Sequence, residues 1–478
     1  MIIYIYFFTI FNYFIISLLL NIVYYKITSE FNLFLTNLLY NSIELNGCIL
    51  IKFTQWFLTR YELYIEVDNF PKELLKFKNF YEKCSIHSFE YTNKIMNTEM
   101  KNKNFKITNN IPIASGSIAQ IYKGVDLNNN NDIVIKIIHP YIKEQLYFPI
   151  LFINTIEYLS KYNIFNKIPF KLNDFIKILK EQTNLNKEFH NLAIFNNNFK
   201  DNSLVIFPKP YFSSQNILVM SYEDGISFND IQLSDYEKYK IIMTFVLAIR
   251  QMCLIDNFIH GDLHIGNWKV VNNNNKYKTI IILDCGIAIK PENNNIIYDW
   301  FNAWENNDIC QLNNIIIKQI EFKEDNKNNK HLVYLVTKLL KDNYEHAKPL
   351  NINYLIIKLY NFLIEHNLYL NDNLLNMIII MSLIEKNLNK FHFTGDERIK
   401  DKKINLEDCY RKQYLDYIAF CNTTNEFNKL KLLTIDRLNK SNIKYNNLFD
   451  NIEDKLNYSD INIDNKEKEC NNEIELSF

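Results

Sequence analysis

Two short segments, in fixed order, limit what this chain can fold into: His260-Gly261-Asp262-Leu263-His264-Ile265-Gly266-Asn267, and, seventeen positions on, Asp284-Cys285-Gly286 at the end of the apolar run Ile280-Ile281-Ile282-Leu283. Alone, a His-Gly-Asp or an Asp-Gly is a turn. An aspartate followed five residues later by an asparagine, and then by a second aspartate at a strand end, is the residue set that phosphoryl transfer from a nucleotide needs. One carboxylate stands beside the acceptor, while an amide and a second carboxylate hold magnesium against the phosphates. On this reading Asp262 faces the acceptor, and Asn267 and Asp284 are the metal ligands.

Such a site also needs a phosphate clamp, which a kinase-like fold builds from a loop of small residues between two strands and a lysine on the third. Ile111 to Gly124 reads as strand, small-residue loop and strand, with Ala114, Ser115, Gly116 and Ser117 at the loop. Asp132 to Ile138 follows as a β-branched run with Lys136 inside it. By itself Lys136 is an edge-strand lysine facing water. Between this loop and His260 to Asn267 it becomes the residue expected on the α and β phosphates. Glycine usage points the same way, since the chain has only 8 Gly and six of them, 116, 124, 225, 261, 266 and 286, fall in or beside these segments. Glycine is hard to replace where φ must be positive or where backbone approaches a ligand.

The segments Ile113 to Gly124, Val134 to Pro140, His260 to Asn267 and Leu283 to Lys290 together resemble the UbiB/ADCK (aarF-domain) family of atypical kinases, whose third-strand lysine is followed by His-Pro, here His139-Pro140. The His-x-Asp-x4-Asn pattern is shared with sugar and choline kinases, so the N-terminal extension decides. Lys52-Phe53-Thr54-Gln55 is similar to the family's KxGQ element, which those other kinases lack. The Gln55-Trp56 and Thr59-Arg60 pairs are similar to the mitochondrial branch typified by aarF-domain kinase two. The resemblance implies an α+β, two-lobed protein-kinase-like fold with a helical N-terminal extension and a mostly helical C-terminal lobe.

It also implies Mg2+ and ATP as cofactors, and Glu188 as the carboxylate paired with Lys136. Departures from the family pattern bear on this. Thr54 replaces the KxGQ glycine, which puts the turn geometry there in question. Gln182 and Asn184 stand where the family has an Glu-x-Asp pair, and Cys285 replaces a phenylalanine. Asn184 and Glu188 are expected four apart on one helix face, so that Asn184 reaches the nucleotide region without charge.

Phe175, Leu179, Leu185, Phe189, Leu192 and Phe195 recur at helical spacing and predict a core-facing stripe on the helix that carries Glu188. Ser234-Asp235-Tyr236-Glu237 is a capping box that opens a helix through Ile241, Phe245, Ile249 and Met252, delivering the chain to His260. The polar runs Asn128 to Asn131 and Asn272 to Asn275 fall where strands should be joined by hairpins, the places where a loop lengthens at little cost. Further helices are expected over 331–346, 354–366 and 374–389, and a polar, partly disordered tail over 401–478.

The division is then 1–26 a membrane anchor, 27–105 the helical extension, 106–225 the N-lobe, 226–400 the C-lobe and 401–478 the tail. Met1 to Tyr25 carries no charged side chain, and roughly twenty apolar residues cross a bilayer. A cleaved signal peptide and a helix lying on the bilayer are the alternatives, and Asn12 and Asn21 count against a spanning helix. Phe31 to Leu45 continues as an amphipathic stretch that faces either the membrane or the kinase-like domain.

A net charge of -1 without a basic cluster argues against a nucleic-acid partner. The 8 Cys are scattered without a Cys-x-x-Cys, which argues against a zinc site or a disulfide framework. The partners expected are ATP, a membrane, a membrane lipid or quinone-like small molecule, and proteins of ubiquinone biosynthesis. The family implies a mitochondrial, membrane-associated protein acting in ubiquinone biosynthesis or lipid homeostasis. It further implies that Lys52 to Gln55 lies over the entry a protein substrate would use, which favours an ATPase or a small-acceptor phosphotransferase. A non-catalytic nucleotide-gated scaffold and a protein serine/threonine kinase remain the alternatives.

Overall fold

The computed structural model describes residues 2–371 apart from 65–70, 161–171, 234–237, 291–298, 300–302, 304–307, 323–328, 347–351 and some single residues and pairs between them. The capping box at Ser234, the expected helix over 374–389 and the tail over 401–478 lie outside the described residues. The fold is α+β, with an antiparallel sheet in one lobe and helices dominating the other.

In the N-terminal extension, α1 (Ile2–Thr28) lies along α2 (Leu33–Asn46), which leads through Gly47 into α3 (Cys48–Tyr64); α4 (Phe89–Glu99) follows. Phe7, Phe11 and Phe14, at spacings of four and three, turn inward. Phe11 and Phe14 pack with Ile43, Leu50, Phe148 and Phe152 in a cluster of their own. Two amides tie α1 in place: Asn21 Nδ2 donates to Leu35 O at 2.8 Å, and Asn46 Nδ2 donates to Ile10 O at 2.8 Å. The opposite face of α1, with Ile5, Phe8, Leu19 and Val23, is exposed. Asn21, which counted against a membrane helix in the sequence, is therefore an interhelical tie on the inward face. The expected stripe of α2 is only partly inward, since Leu33 and Leu45 are exposed and small polar Thr36, Ser42 and Asn46 are buried instead. The close crossing of α1 and α2 leaves room there for short side chains rather than leucines.

Chain order gives seven strands up to residue 221: β1 (Phe105–Ile107), β2 (Ala114–Ser115), β3 (Ala119–Asp126), β4 (Asp132–Ile138), β5 (Val205–Ile206), β6 (Pro210–Ser213) and β7 (Ile217–Ser221). All but β5 form one antiparallel sheet in the order β1-β3-β4-β7-β6, with β2 hairpinned onto β3. Strand β4 is central and buried on both faces. Ile133, Ile135 and Ile137 pack with Met100 and the α4 side chains, while Val134 and Ile138 join the main core. Period-two alternation thus puts Lys136, between Val134 and Ile138, on the face toward the second lobe. Asn128 to Asn131 forms the β3–β4 turn, as its composition implies, with Asn130 at φ 58.

Two helices, not one, carry the predicted apolar stripe after α5 (Ile142–Ser160): α6 (Leu172–Gln182) and α7 (Leu185–Asn198). Phe175, Leu179, Leu185, Leu192 and Phe195 are all buried as expected. The break falls at Asn184, which is the N-cap of α7, exposed, its side chain accepting from Asn186 N at 3.2 Å. Asn184 and Glu188 therefore do not share a helix face. An asparagine at this position satisfies a helix end instead of reaching toward a nucleotide.

In the second lobe, β8 (Ile259–His260) pairs with β11 (Ala288–Ile289), and the hairpin of β9 (Trp268–Asn273) with β10 (Lys276–Ile282) is extended by β5. Of the second asparagine run, Asn272 and Asn273 end β9, and Asn274 and Asn275 lie outside the described residues. Met252 and Cys253 are buried in the main core. Helices Ile309–Gln319, Asn329–His346 and Ile352–Glu365 follow, the last two matching the helical spacing of the sequence. A short strand pair, Ile320–Phe322 with Leu368–Leu370, joins this helical region.

Candidate functional site

Strand β4, helix α7 and the turn after β10 bring three charges to one point. Lys136 Nζ donates to Glu188 Oε1 and Oε2 at 3.0 and 2.8 Å and to Asp284 Oδ1 at 2.9 Å. Lys136 and Glu188 are buried; the Asp284 side chain keeps 38 % of its surface open. Burial by itself lowers the pKa of the Lys136 ammonium, but the carboxylates of Asp284 and Glu188 outweigh it and hold the group charged. Burial raises Glu188 above the usual carboxylate range, against the pull of Lys136. At Asp284 the cost of burial is overcome by Lys136 and Lys52, and its carboxyl is held well below the ordinary value.

The loop from β8 is fixed to the strand that precedes Asp284. His260 Nε2 donates to Leu283 O at 3.0 Å, which leaves its Nδ1 to accept Asp262 N at 3.2 Å. Leu283 N donates to Asn267 O at 2.8 Å. Asn267 Nδ2 donates to Asp262 O at 2.8 Å, so the amide oxygen is the end left for a ligand. Asn191 Nδ2, from α7, donates to Cys285 O at 2.8 Å and clamps the turn from the other side. Cys285 is fully buried in the main core, so the smaller side chain is packed rather than leaving the turn loose. Asp284 itself has φ 51, the left-handed region, at a non-glycine residue.

The glycines play different parts from those the sequence suggested. A Cβ at Gly261 would lie 2.5 Å from Ile287 Cγ2, and one at Gly124 would lie 2.6 Å from Lys106 O, so both are close-packing positions. A Cβ at Gly116 would meet nothing nearer than Ala119 O at 3.6 Å, ordinary contact. Gly116 N donates to Ala119 O at 3.0 Å, inside the loop, which removes it from the amides expected to face phosphate. Ala114 and Ser115 are paired into β2, opposite Ile121 and Gln120.

The KxGQ-like element reaches the same cleft from α3. Lys52 Nζ donates to Asp262 Oδ2 at 2.9 Å, and Gln55 Oε1 accepts from Ser117 Oγ at 3.3 Å while Gln55 Nε2 donates to Phe80 O at 2.6 Å. Lys52 and His264, 3.9 Å away, overcome the cost of burial at Asp262 and hold its carboxyl below the ordinary value. Thr54 does not disturb this. The segment is an uninterrupted helix with no turn for a glycine to serve, and Thr54 Oγ1 folds back onto Leu50 O at 2.8 Å.

The donor set suits magnesium. Asn267 and Asp284 carry hard oxygens of the kind that could hold it, and Asp284 stands beside the Lys136 ammonium. Beside them lies an unsatisfied group. Gln182 is buried, its Oε1 has no hydrogen-bond partner among the described residues, and a Cβ on Gly286 would sit 3.7 Å from Gln182 Cγ, 3.7 Å from Glu188 Oε2 and 3.4 Å from Asp284 Oδ1. A buried amide oxygen left bare among charged groups fits a site completed by a cation or nucleotide. Of the site residues drawn from the sequence, Lys136, Glu188 and Asp284 meet directly, Lys52 joins Asp262 and, through the same helix, Gln55 joins Ser117, and Asn267 closes on Asp262. Ala114 and Ser115 lie in the β2–β3 hairpin, Gly116 N is used within the loop, and Asn184 caps a helix instead. His264 and Asn191 lacked a signal in the sequence, since a histidine among apolar residues and an asparagine in a helix have many ordinary roles.

Residues 80–314 match the model of the ABC1 atypical kinase-like domain. A probable serine/threonine-protein kinase of Dictyostelium discoideum, abkC, is 31% identical over 336 residues, which cover 65% of this chain and 48% of that protein. A mitochondrial ABC1 family protein of Saccharomyces cerevisiae is 30% identical over 282 residues, 51% of this chain and 41% of that one. A probable protein kinase UbiB of Blochmanniella pennsylvanica is 31% identical over 194 residues, 38% and 35% of the two chains. The matched region spans less than half the length of each of these relatives.

Proposed function

With an ABC1 atypical kinase-like domain at residues 80–314, the chain belongs to the UbiB/ADCK family, and from that premise we propose that it binds Mg-ATP between its lobes and cleaves it. The reading favoured is an ATPase or a phosphotransferase acting on a small or lipid-like acceptor. The observation that carries it is the convergence of Lys136, Glu188 and Asp284, which are 52 and 148 residues apart in sequence, within 3.0 Å of one ammonium. Lys136 would hold the α and β phosphates once a nucleotide competes for its hydrogen bonds. Asn267 and Asp284 would hold magnesium, which when bound neutralises charge on the phosphate oxygens. Asp262 would orient the acceptor or take its proton.

Lys52 bears on the choice of acceptor. Its ammonium occupies Asp262 Oδ2, where an acceptor hydroxyl would have to arrive, and α3 covers that approach. This disfavours a bulky protein acceptor and favours water or a small molecule reached after Lys52 moves aside. The same contact supports a second reading, a nucleotide-gated scaffold in which Lys52 never leaves. For location, the exposed apolar face of α1 supports seating on a bilayer, with α1 lying along the domain rather than freely spanning it. The mitochondrial relative supports a mitochondrial location, and the likeness to UbiB supports a place in ubiquinone biosynthesis.

The test uses the full chain, Mg-ATP affinity and phosphate release, with and without vesicles carrying a quinone-like lipid. Asp262→Asn should keep Mg-ATP affinity and lose phosphate release by roughly 10²-fold or more, the range of a positioned base. Lys52→Ala should raise release, and because Asp262 then returns toward the ordinary carboxylate range, the acid limb of the rate profile should move to higher pH. Release that is absent in the parent and in Lys52→Ala, with binding intact, selects the scaffold. Phosphate incorporated into a co-purified protein, and lost in Asp262→Asn, selects a protein kinase.

A further inference from the structure

Behind the phosphate loop runs a line of buried hydrogen bonds whose direction can be worked out atom by atom. His139, the residue after β4, places its Nε2 2.9 Å from Gly116 O. A carbonyl only accepts, so His139 carries its proton on Nε2. His139 Nδ1 lies 2.8 Å from His87 Nδ1, and His87 Nε2 lies 3.0 Å from Thr92 Oγ1. With both rings neutral, His139 Nδ1 accepts, His87 Nδ1 donates, and His87 Nε2 accepts from the Thr92 hydroxyl. Thr92 Oγ1, 2.9 Å from the Tyr122 hydroxyl, accepts from it in turn, and Tyr122 accepts from Gln120 Nε2. Gln120 closes the line, since its Oε1 accepts from His87 N at 2.8 Å. Burial and the neighbouring ring lower His87 to about 4, and burial lowers His139, so both are neutral near pH 7.

The line ends on one peptide unit. His139 N also donates to Ile118 O at 3.0 Å, so a single residue grips the loop at two carbonyls. A trans peptide sends its C=O and N–H to opposite sides. With Gly116 O drawn to His139, the N–H of Ser117 faces away from it. That N–H donates to no atom among the described residues, although Ser117 is only 7% exposed. A sheltered backbone donor without a partner is what an anion-binding loop presents.

We propose that His139, held in one tautomer by His87, is a positioning residue that orients the Gly116–Ser117 peptide so that Ser117 N–H receives a phosphate oxygen of the bound nucleotide. This rests on the nucleotide reading of the cleft. The loop then needs no glycine at 116, because the peptide is set by a side chain behind it rather than by backbone freedom.

Two measurements on the full chain test it. With histidine labelled with 15N, and no nucleotide present, His139 should report as the Nε2–H tautomer and His87 as the Nδ1–H tautomer at neutral pH. Reversed tautomers, or an imidazolium at either position, overturn the proposal. Next, Mg-ATP and adenosine affinities are compared for the parent, His139→Leu and His139→Gln. His139→Leu should lose roughly tenfold or more in Mg-ATP affinity, the scale of one hydrogen bond to a charged group, while adenosine affinity stays put. His139→Gln, whose side-chain amide offers a donor near the imidazole Nε2 position, should recover most of it.

Equal losses for both ligands would mean a merely structural role, and no loss at all would mean none; either overturns the proposal. If circular dichroism shows that His139→Leu does not fold, His87→Leu replaces it with the same expected pattern. A parent chain that fails to bind Mg-ATP sinks the nucleotide reading itself, and this inference with it. A parent that binds, with indifferent variants, sinks the inference alone.

Discussion

Asp284→Asn is expected to reduce Mg-ATP affinity by roughly 30-fold or more, because removing one partner of a half-buried, hydrogen-bonded charge pair costs about 2 kcal/mol or more and each 1.4 kcal/mol is tenfold. The substitution is chosen for its backbone. Asp284 sits at φ 51, a conformation that asparagine adopts almost as readily as aspartate, so the turn should be kept. Alanine there would add strain to the loss of charge and confuse the two. Lys136 retains Glu188 in this variant, with both oxygens still within 3.0 Å, so the cluster is not left with an unpaired ammonium. Titration calorimetry with Mg-ATP, beside a thermal melt, checks it. Affinity within twofold of the parent would remove Asp284 from the metal site, and a large fall in melting temperature would mean that the turn had collapsed.

What the sequence revealed and what it hid follow from how far each signal reaches. Lys136, Asp262, Asn267 and Asp284 were legible because each is flagged by its immediate neighbours. A β-branched run surrounds Lys136, and the spacing from Asp262 to Asn267 is that of one tight loop whose amide closes back on Asp262 O. That β4 is central and buried on both faces was not legible in the same way, since an apolar run with one lysine also fits an edge strand whose lysine faces water.

Periodicity failed where it carried through a break. Phe175, Leu179, Leu185 and Leu192 all face one core, so α6 and α7 read as a single helix, and only the cap bond of Asn184 marks the interruption. Glycine at 116 and threonine at 54 misled for a common reason. Both positions point to what a glycine can do, whereas the loop is held by His139 and the α3 segment needs no turn. Contacts made by polar side chains to backbone far away in sequence, Asn191 to Cys285 and Asn46 to Ile10, leave no local pattern at all. The short strand pair near 320 and 370 was equally hidden, as three residues are too few to show alternation.

Removing the ammonium should unsettle the fold itself. Lys136→Met preserves an unbranched side chain of similar reach in the middle of β4 but strands Glu188, which is 3% exposed, without its counter-charge. Breaking a buried pair from one side costs about 3–5 kcal/mol, more than most single substitutions. The cost has a sign with pH. Burial already holds Glu188 above its ordinary range against the attraction of Lys136, and without that attraction, with Asp284 still nearby, it rises further. A carboxyl whose folded pKa lies above its unfolded value, about 4.3, contributes fully below the unfolded value and loses that contribution as pH rises through the folded one. The stability deficit of Lys136→Met, read from urea unfolding, should therefore be largest in mildly alkaline buffer and shrink steadily as the buffer is made acid. Lys136→Met together with Glu188→Gln should recover much of the loss, since an amide can be buried without charge. A deficit that is flat with pH, or a double variant no better than the single one, would show that the ammonium and Glu188 are not the pair that braces β4 against α7.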